Sequence, residues 1–323
     1  MLDLLLVNSP IHDYSRYPRY VSSYSTPVGL LYVATAAREA GFAVAVLDAE
    51  ERQLTPAEIA AEIERREPRV AGLNAFSVNL AIAEEIADRV APSIEIVAGG
   101  PHVSSMPPGH FAKRLNRARI LVRGDGERTI VDILRGAHPL TIPGVYFRDG
   151  IGDVVPTRQE PPLDLDALPV PDRTFLATEP YLRDGRRWMD ISISRGCVFA
   201  CAFCAGSCRS NGTTYRRRSL GSVRAEIHHL LAKYRIEGLQ IVDDLPFDGT
   251  ARLEEFLDLV ERDRIAVQWE INFPLQFLRR LSTTTIGRLA RAGVVRLSFG
   301  IESGSFETRR AMGKLSLNPP RVF

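Results

Sequence analysis

Ser192–Cys208 reads SISRGCVFACAFCAGSC and contains all four cysteines of a 323-residue chain. The run MDISISR (189–195) just before and into it alternates apolar and polar positions and is rich in β-branched residues, the pattern of a strand. The thiols therefore follow the carboxyl end of a strand, where parallel barrels carry their chemistry on loops.

Working outward, three further strand candidates follow, GLQIVDD (238–244), VQWEINF (267–273) and VVRLSFGIE (294–302). Between them lie helical periods in SVRAEIHHLLAKYR (222–235), TARLEEFLDLVERDR (250–264) and TTTIGRLARAG (283–293). Strand and helix alternation of this kind predicts the first four βα units of an incomplete parallel barrel over 190–323. KLSLNPPRVF (314–323) carries two prolines, which argue against another regular element.

Upstream, the same alternation runs from residue 2 to 136. Strands are expected in DLLLVNSP, AVAVLDAE, RVAGLNAF, EIVAGGPHV and ARILVRGDG, with amphipathic segments between them. Five strands joined by helical crossovers predict an α/β fold with a flavodoxin-like, Rossmann-like doubly wound parallel sheet over 1–136, because parallel neighbours need crossovers and both faces need covering. Residues 137–189 break the rhythm: a hairpin is expected to turn at Asp149 to Gly152, and QEPPLDLDALPVPD reads as an extended linker.

Lys and Arg total 41 against 39 Asp and Glu, a formal charge of +2, and 45% of residues are hydrophobic. That balance gives no nucleic-acid-binding stripe, and no apolar run approaches the ~20 residues of a membrane span. MLDLLLVNSP lacks a basic start and a cleavage site, so it reads as a buried strand and the reducing cytoplasm is the expected compartment. Arg216 to Arg218, the densest basic run, reads as a solvated turn.

In such a compartment clustered cysteines serve metals more often than disulfides. Cys197, Cys201 and Cys204 form C-x3-C-x2-C, and thiolates are soft ligands suited to an iron–sulfur cluster. Three ligands on a four-iron cube leave one iron open to a substrate or cofactor. Zinc with Cys208 as fourth ligand stays an alternative, although structural zinc usually takes two separate ligand pairs. In the first domain the Gly-, Ser- and Pro-rich loops after the strands are either ligand-lining or simply tight strand-to-helix turns. No GxGxxG follows the first strand, which argues against a nicotinamide cofactor.

The strand, C-x3-C-x2-C and Phe203 just before the last cysteine together resemble the signature of radical S-adenosylmethionine (SAM) enzymes. TPVGLLYVATAAREAGFAVAVLD, GGPH, RGDGE, SRGCVFACAFC, RRRS, VDDLPF and FGIESGS, in that order, resemble the cobalamin-binding branch of that family. The resemblance implies a 4Fe-4S cluster on Cys197, Cys201 and Cys204, SAM on its open iron with Phe203 near the adenine, and cobalamin in the first domain. It implies that Asp243 and Asp244 meet the amino end of SAM, that Glu302 and Ser303 meet its ribose, and that Arg216 and Arg218 are candidates for its carboxylate. It further implies that Ser9, Ser77, Gly99, Gly100, His102, Gly124, Gly126 and Glu127 line the cobalamin. His12 lies in PIHDYS, which lacks the Asp and Gly of the D-x-H-x-x-G cobalt-ligand motif, and reads as a loop residue.

The activity so implied is a cobalamin-dependent radical SAM methyltransferase acting on an unactivated carbon of a small-molecule or natural-product substrate, through a 5'-deoxyadenosyl radical and methylcobalamin. The same architecture serves cyclisations and rearrangements. Methylthio transfer is disfavoured because residues 1–196 hold no cysteine. An external electron donor such as a flavodoxin or ferredoxin is expected. Full members carry a six-strand partial barrel and a C-terminal substrate domain, so this chain reads as C-terminally truncated. A partner supplying the rest is expected, and the rival function is a non-catalytic remnant that binds cobalamin or a cluster.

Overall fold

The computed structural model describes residues 1–16, 25–149, 153–176, 181–183, 185–207, 213–278 and 280–314. The chain forms two compact units, Met1–Leu163 with Ala167–Ala177, and Asp164–Asp166 with Thr178–Phe323.

In the first unit β1 (Leu4–Asn8), α1 (Val28–Glu39), β2 (Val44–Asp48), α2 (Pro56–Arg66), β3 (Val70–Asn74), α3 (Leu80–Arg89), β4 (Glu95–Gly99), α4 (Pro101–Ser105), β5 (Ala118–Val122) and α5 (Glu127–Leu134) follow in order. The parallel strands are arranged β2-β1-β3-β4-β5, the flavodoxin-like order, with its switch point beside β1. The apolar run of β1 explains the two-sided cover. Leu5 and Val7 pack with Ile59, Ile63 and Ile86 of α2 and α3, whereas Leu4 and Leu6 pack with Leu31, Ile130 and Ile133 of α1 and α5. Each such burial contributes about 1.5–3 kcal/mol. The start of α2 is fixed by a capping box between Thr55 and Glu58.

β6 (Val145–Arg148) and β7 (Val154–Pro156) form the expected hairpin, although residues 150–152 of its turn lie outside the described residues. β6 pairs antiparallel with β5, so the hairpin extends the first sheet to seven strands.

The second unit contains β8 (Tyr181–Arg183), β9 (Arg186–Ile191), β10 (Ser194–Arg195), β11 (Arg216–Arg217), α6 (Leu220–Tyr234), β12 (Gly238–Ile241), α7 (Thr250–Arg262), β13 (Gln268–Pro274), α8 (Leu275–Leu278), α9 (Thr283–Arg291), β14 (Val294–Gly300) and α10 (Phe306–Ala311). Its sheet runs β14-β13-β12-β9-β8. β9, β12, β13 and β14 are parallel, the curled half-barrel that the alternation predicts. β8, antiparallel to β9, was not expected. Met189, Leu239 and Trp269 on one sheet face pack with Ile227, Leu230, Phe256 and Leu257 of α6 and α7. Gly238 is required there, since a Cβ would collide with the Trp188 ring on the neighbouring strand.

The solvated turn expected at Arg216 to Arg218 is corrected in part: Arg216 and Arg217 form β11 with Arg217 exposed, and Arg218 is buried. Arg218 is 4% exposed and ion-pairs with the equally buried Glu226. It also donates to the Ser192 carbonyl at 2.9 Å and to Ser222 Oγ at 2.8 Å. A buried guanidinium needs that many acceptors, because desolvating it otherwise costs several kcal/mol.

Candidate functional site

The cysteine loop leaves the sheet after β9 and is held by three devices. β10 pairs with β11, Cys197 bridges to Ser207, and the Cys204 amide donates to the Cys201 carbonyl at 3.1 Å. All three described thiols are free and half-buried; Cys208 lies outside the described residues. Burial pushes the Cys197 thiol up to about 11, reinforced by the carboxylate of Asp244 and by Cys204 and Cys201. Burial likewise raises Cys201. Three soft donors that feel one another's charge fit a cationic iron–sulfur cluster, which offsets the repulsion that thiolates alone would suffer.

The structure separates the two aspartates. Asp243 is buried and its Oδ2 accepts from the Ile193 amide at 2.7 Å, the Ser194 amide at 2.8 Å and Ser194 Oγ at 3.2 Å. It ties the end of β12 to the turn that launches the cysteine loop. Burial raises its carboxyl to about 6 despite those bonds. Asp244 is exposed and its carboxylate lies against Gly206 of the cysteine loop, in the space a Cβ there would take.

Beyond β14, Glu302 adopts φ 65°, a left-handed conformation. Its Oε1 accepts from Lys314 Nζ at 2.5 Å. Ser303 Oγ accepts from the Ser305 amide at 3.1 Å, just before α10. Phe203 is 52% exposed, and Lys314 Nζ stands 5.7 Å from its ring centre. The cluster cysteines, Phe203, Asp244 and Glu302 thus gather about one loop.

On the face opposite α6 and α7, Asp190, Gln240, Glu270 and Arg296 stand side by side across β9, β12, β13 and β14. Arg183 joins the row, donating to Gln240 Oε1 at 2.9 Å and Glu270 Oε2 at 3.2 Å. This polar row went unnoticed in the sequence, although one polar residue at the same step of MDI, LQI, WEI and VRL signals it.

In the first unit a polar ladder crosses the switch point. Asn8 Nδ2 donates to Asp48 at 2.8 Å, Asn74 Nδ2 to Asn8 at 2.8 Å, and the Ser9 amide to Asn74 at 2.7 Å. Asn79 Nδ2 closes it on the Ser9 carbonyl at 3.0 Å. The Ser9 hydroxyl is buried without a hydrogen-bond partner among the described residues, which fits a ligand acceptor or donor above β1. Ser77 Oγ lies 2.9 Å from His102 Nδ1, and His102 Nε2 lies 3.0 Å from His110 Nε2, so the three side chains share a hydrogen-bonded line. Burial and the neighbouring His110 lower the His102 pKa.

Gly100 has φ 114°, and a Cβ there would stand 2.9 Å from the Ala75 carbonyl. Gly99 backs onto Val122, and Gly126 lets α5 approach Val33. Gly124 has φ 76° with open space where a Cβ would be, and its amide donates to Ser104 Oγ at 2.9 Å. Glu127 is buried. His12 packs edge-on against Tyr14, ring centres 6.3 Å apart.

The fold is a doubly wound α/β unit with polar strand ends, followed by a half-barrel unit whose first strand leads into a loop carrying three free thiols. The family model of the B12 binding domain matches residues 19–134 and that of the radical SAM superfamily residues 191–319. The chain belongs to the B12-dependent radical SAM enzyme family, whose cofactors are a 4Fe-4S cluster, SAM and cobalamin.

An uncharacterized methyltransferase of Pyrococcus horikoshii is 28% identical over 97% of this chain and 68% of its own length. The anaerobic magnesium-protoporphyrin IX monomethyl ester cyclase of Cereibacter sphaeroides is 26% identical over 86% of this chain and 47% of its own. The solved structure of the radical SAM methyltransferase TsrM from Kitasatospora setae, with tryptophan substrate and a SAM analogue bound, superposes with a TM-score of 0.73 at 20% identity, over 99% of this chain and 62% of TsrM. The chain spans roughly half to two thirds of the proteins it matches. Among the described residues no helix is long and apolar enough to cross a membrane.

Proposed function

We propose that the chain is a cobalamin-dependent radical SAM methyltransferase for an unactivated carbon of a small-molecule or natural-product substrate. The observation that carries this is the loop of Cys197, Cys201 and Cys204, gathered with Phe203, Asp244 and Glu302 at the carboxyl end of a half-barrel strand. When bound, the cluster supplies the electron that cleaves SAM to a carbon radical, and cobalamin carries the methyl group.

The chain's own residues bind and orient. Residues 1–136 hold cobalamin along Ser9, Ser77, His102 and the glycine turns at 99–100 and 124–126, with Glu127 supporting from below. Residues 190–323 hold cluster and SAM, and 137–189 join the two. Asp244, exposed where Asp243 is spent on backbone amides, takes the amino end of SAM. Glu302 takes the ribose hydroxyls, a task suited to a carboxylate, with Ser303 beside it. An external flavodoxin- or ferredoxin-type donor supplies the electron. Ring formation is the second reading, favoured by the likeness to the cyclase of Cereibacter sphaeroides.

The test is anaerobic reconstitution with iron, sulfide and hydroxocobalamin, followed by SAM under a strong reductant. The proposal predicts 5'-deoxyadenosine that disappears in Cys201→Ala, together with S-adenosylhomocysteine from remethylation of the corrin. 5'-Deoxyadenosine without S-adenosylhomocysteine favours the cyclase reading. One zinc per chain with no cluster absorbance would refute both.

A further inference from the structure

Lys314 drew no attention in the sequence, yet its side chain is only 12% exposed. The backbone puts it there. The Ala202 amide in the cysteine loop donates to the Met312 carbonyl at 2.9 Å, and the Lys314 amide donates to the Arg309 carbonyl at 2.8 Å. Gly313 makes the contact possible, with φ 72° and the Ala200 carbonyl 3.0 Å from where its Cβ would stand. The turn after α10 is therefore stapled to the cysteine loop.

At the end of that staple, Nζ donates to Glu302 Oε1 at 2.5 Å and stands 5.7 Å from the Phe203 ring centre. An ammonium offers three donors, and a half-buried one is costly unless its charge is matched. Glu302 uses one; the other two have no partner among the described residues. The pair is neutral as a whole, and its ammonium end is the one that stands over Phe203 of the loop where three thiolates would bring negative charge.

We propose that Lys314 is a positioning residue of the cofactor site, holding the Glu302 carboxylate and setting a fixed positive charge beside the cluster. This rests on the cluster-and-SAM reading of the loop. Reduction adds one electron to the cluster and so one negative charge, which a neighbouring ammonium stabilises. The cluster potential is therefore higher with Lys314 than without it. The same ammonium orients Glu302 for the SAM ribose.

Lys314→Met and Lys314→Arg test this in the full chain, reconstituted with iron and sulfide. Iron content, the midpoint potential in an EPR-monitored titration without SAM, and the SAM dissociation constant from its perturbation of the cluster spectrum are the readouts. The expected result is full iron in Lys314→Met, a downward shift of the potential and SAM binding weaker by about tenfold or more, with the potential restored in Lys314→Arg. Wild-type potential and SAM affinity in Lys314→Met would overturn the proposal while leaving the function reading intact. Should Lys314→Met fail to load iron, Glu302→Gln separates the roles: weakened SAM binding at wild-type or higher potential supports the proposal, and a fallen potential defeats it. A wild-type chain that assembles no cluster overturns both readings.

Discussion

Burial, reinforced by the neighbouring carboxylates of Asp125 and Glu127, pushes Glu160 up to about 7. The unfolded chain releases that proton near 4.5. Between those values the folded state holds a proton that the unfolded state has lost, so stability falls as pH rises through the window and stays lowered above it. Glu160→Gln should remove the penalty, giving equal stability near pH 4 and a gain of about 1 kcal/mol at pH 8 once solvent screening is allowed for. Urea midpoints of both proteins across that range check it, and parallel pH curves would refute it. Spacing alone singles out Cys197, Cys201 and Cys204 in the sequence, and the structure leaves their three thiols free on one loop. Lys314 was not legible there, because its turn is stapled to a loop distant in sequence. Nor was the ladder of Asn8, Asp48 and Asn74, which needs strand register to be seen, although each residue ends an apolar run.

At the scale of elements, the residue after β11 is joined to α6 by the buried pair of Arg218 and Glu226. Removing one partner leaves a desolvated charge. Glu226→Gln should therefore cost about 3 kcal/mol, and pairing it instead as Arg218→Met with Glu226→Leu should recover most of that loss. Chemical denaturation followed by tryptophan fluorescence measures both, since Trp188 and Trp269 lie in the second unit; a double variant worse than Glu226→Gln would contradict it. The regular strands and helices were legible because β-branched runs and helical periods alternate cleanly. β8 escaped because a strand of Tyr181–Arg183 is too short to show a period, and its place is fixed by Arg183 reaching across to Gln240 and Glu270. Arg218 was misread because composition alone cannot tell a basic turn from a buried ion pair.

At the scale of the whole molecule, the two units carry separate hydrophobic cores. Ligand binding stabilises the unit that binds, so hydroxocobalamin at a hundred times its dissociation constant should stabilise one unit by about 2.7 kcal/mol. Scanning calorimetry should show a single transition moving up, unchanged in Cys201→Ala. Loss of the shift in that variant would tie cobalamin to the cysteine loop instead. The staple from Met312 and Gly313 to Ala202 and Ala200 also has a temporal meaning. A ribosome makes Cys197, Cys201 and Cys204 roughly 5–20 s before it reaches the turn that closes over them. For that interval the thiols are tethered to a growing chain with no clasp, exposed to oxygen and to stray metal ions. Cluster delivery in the cell is then a matter of timing: iron and sulfide that arrive early meet an open loop, and those that arrive after residue 314 has folded meet a clasped one.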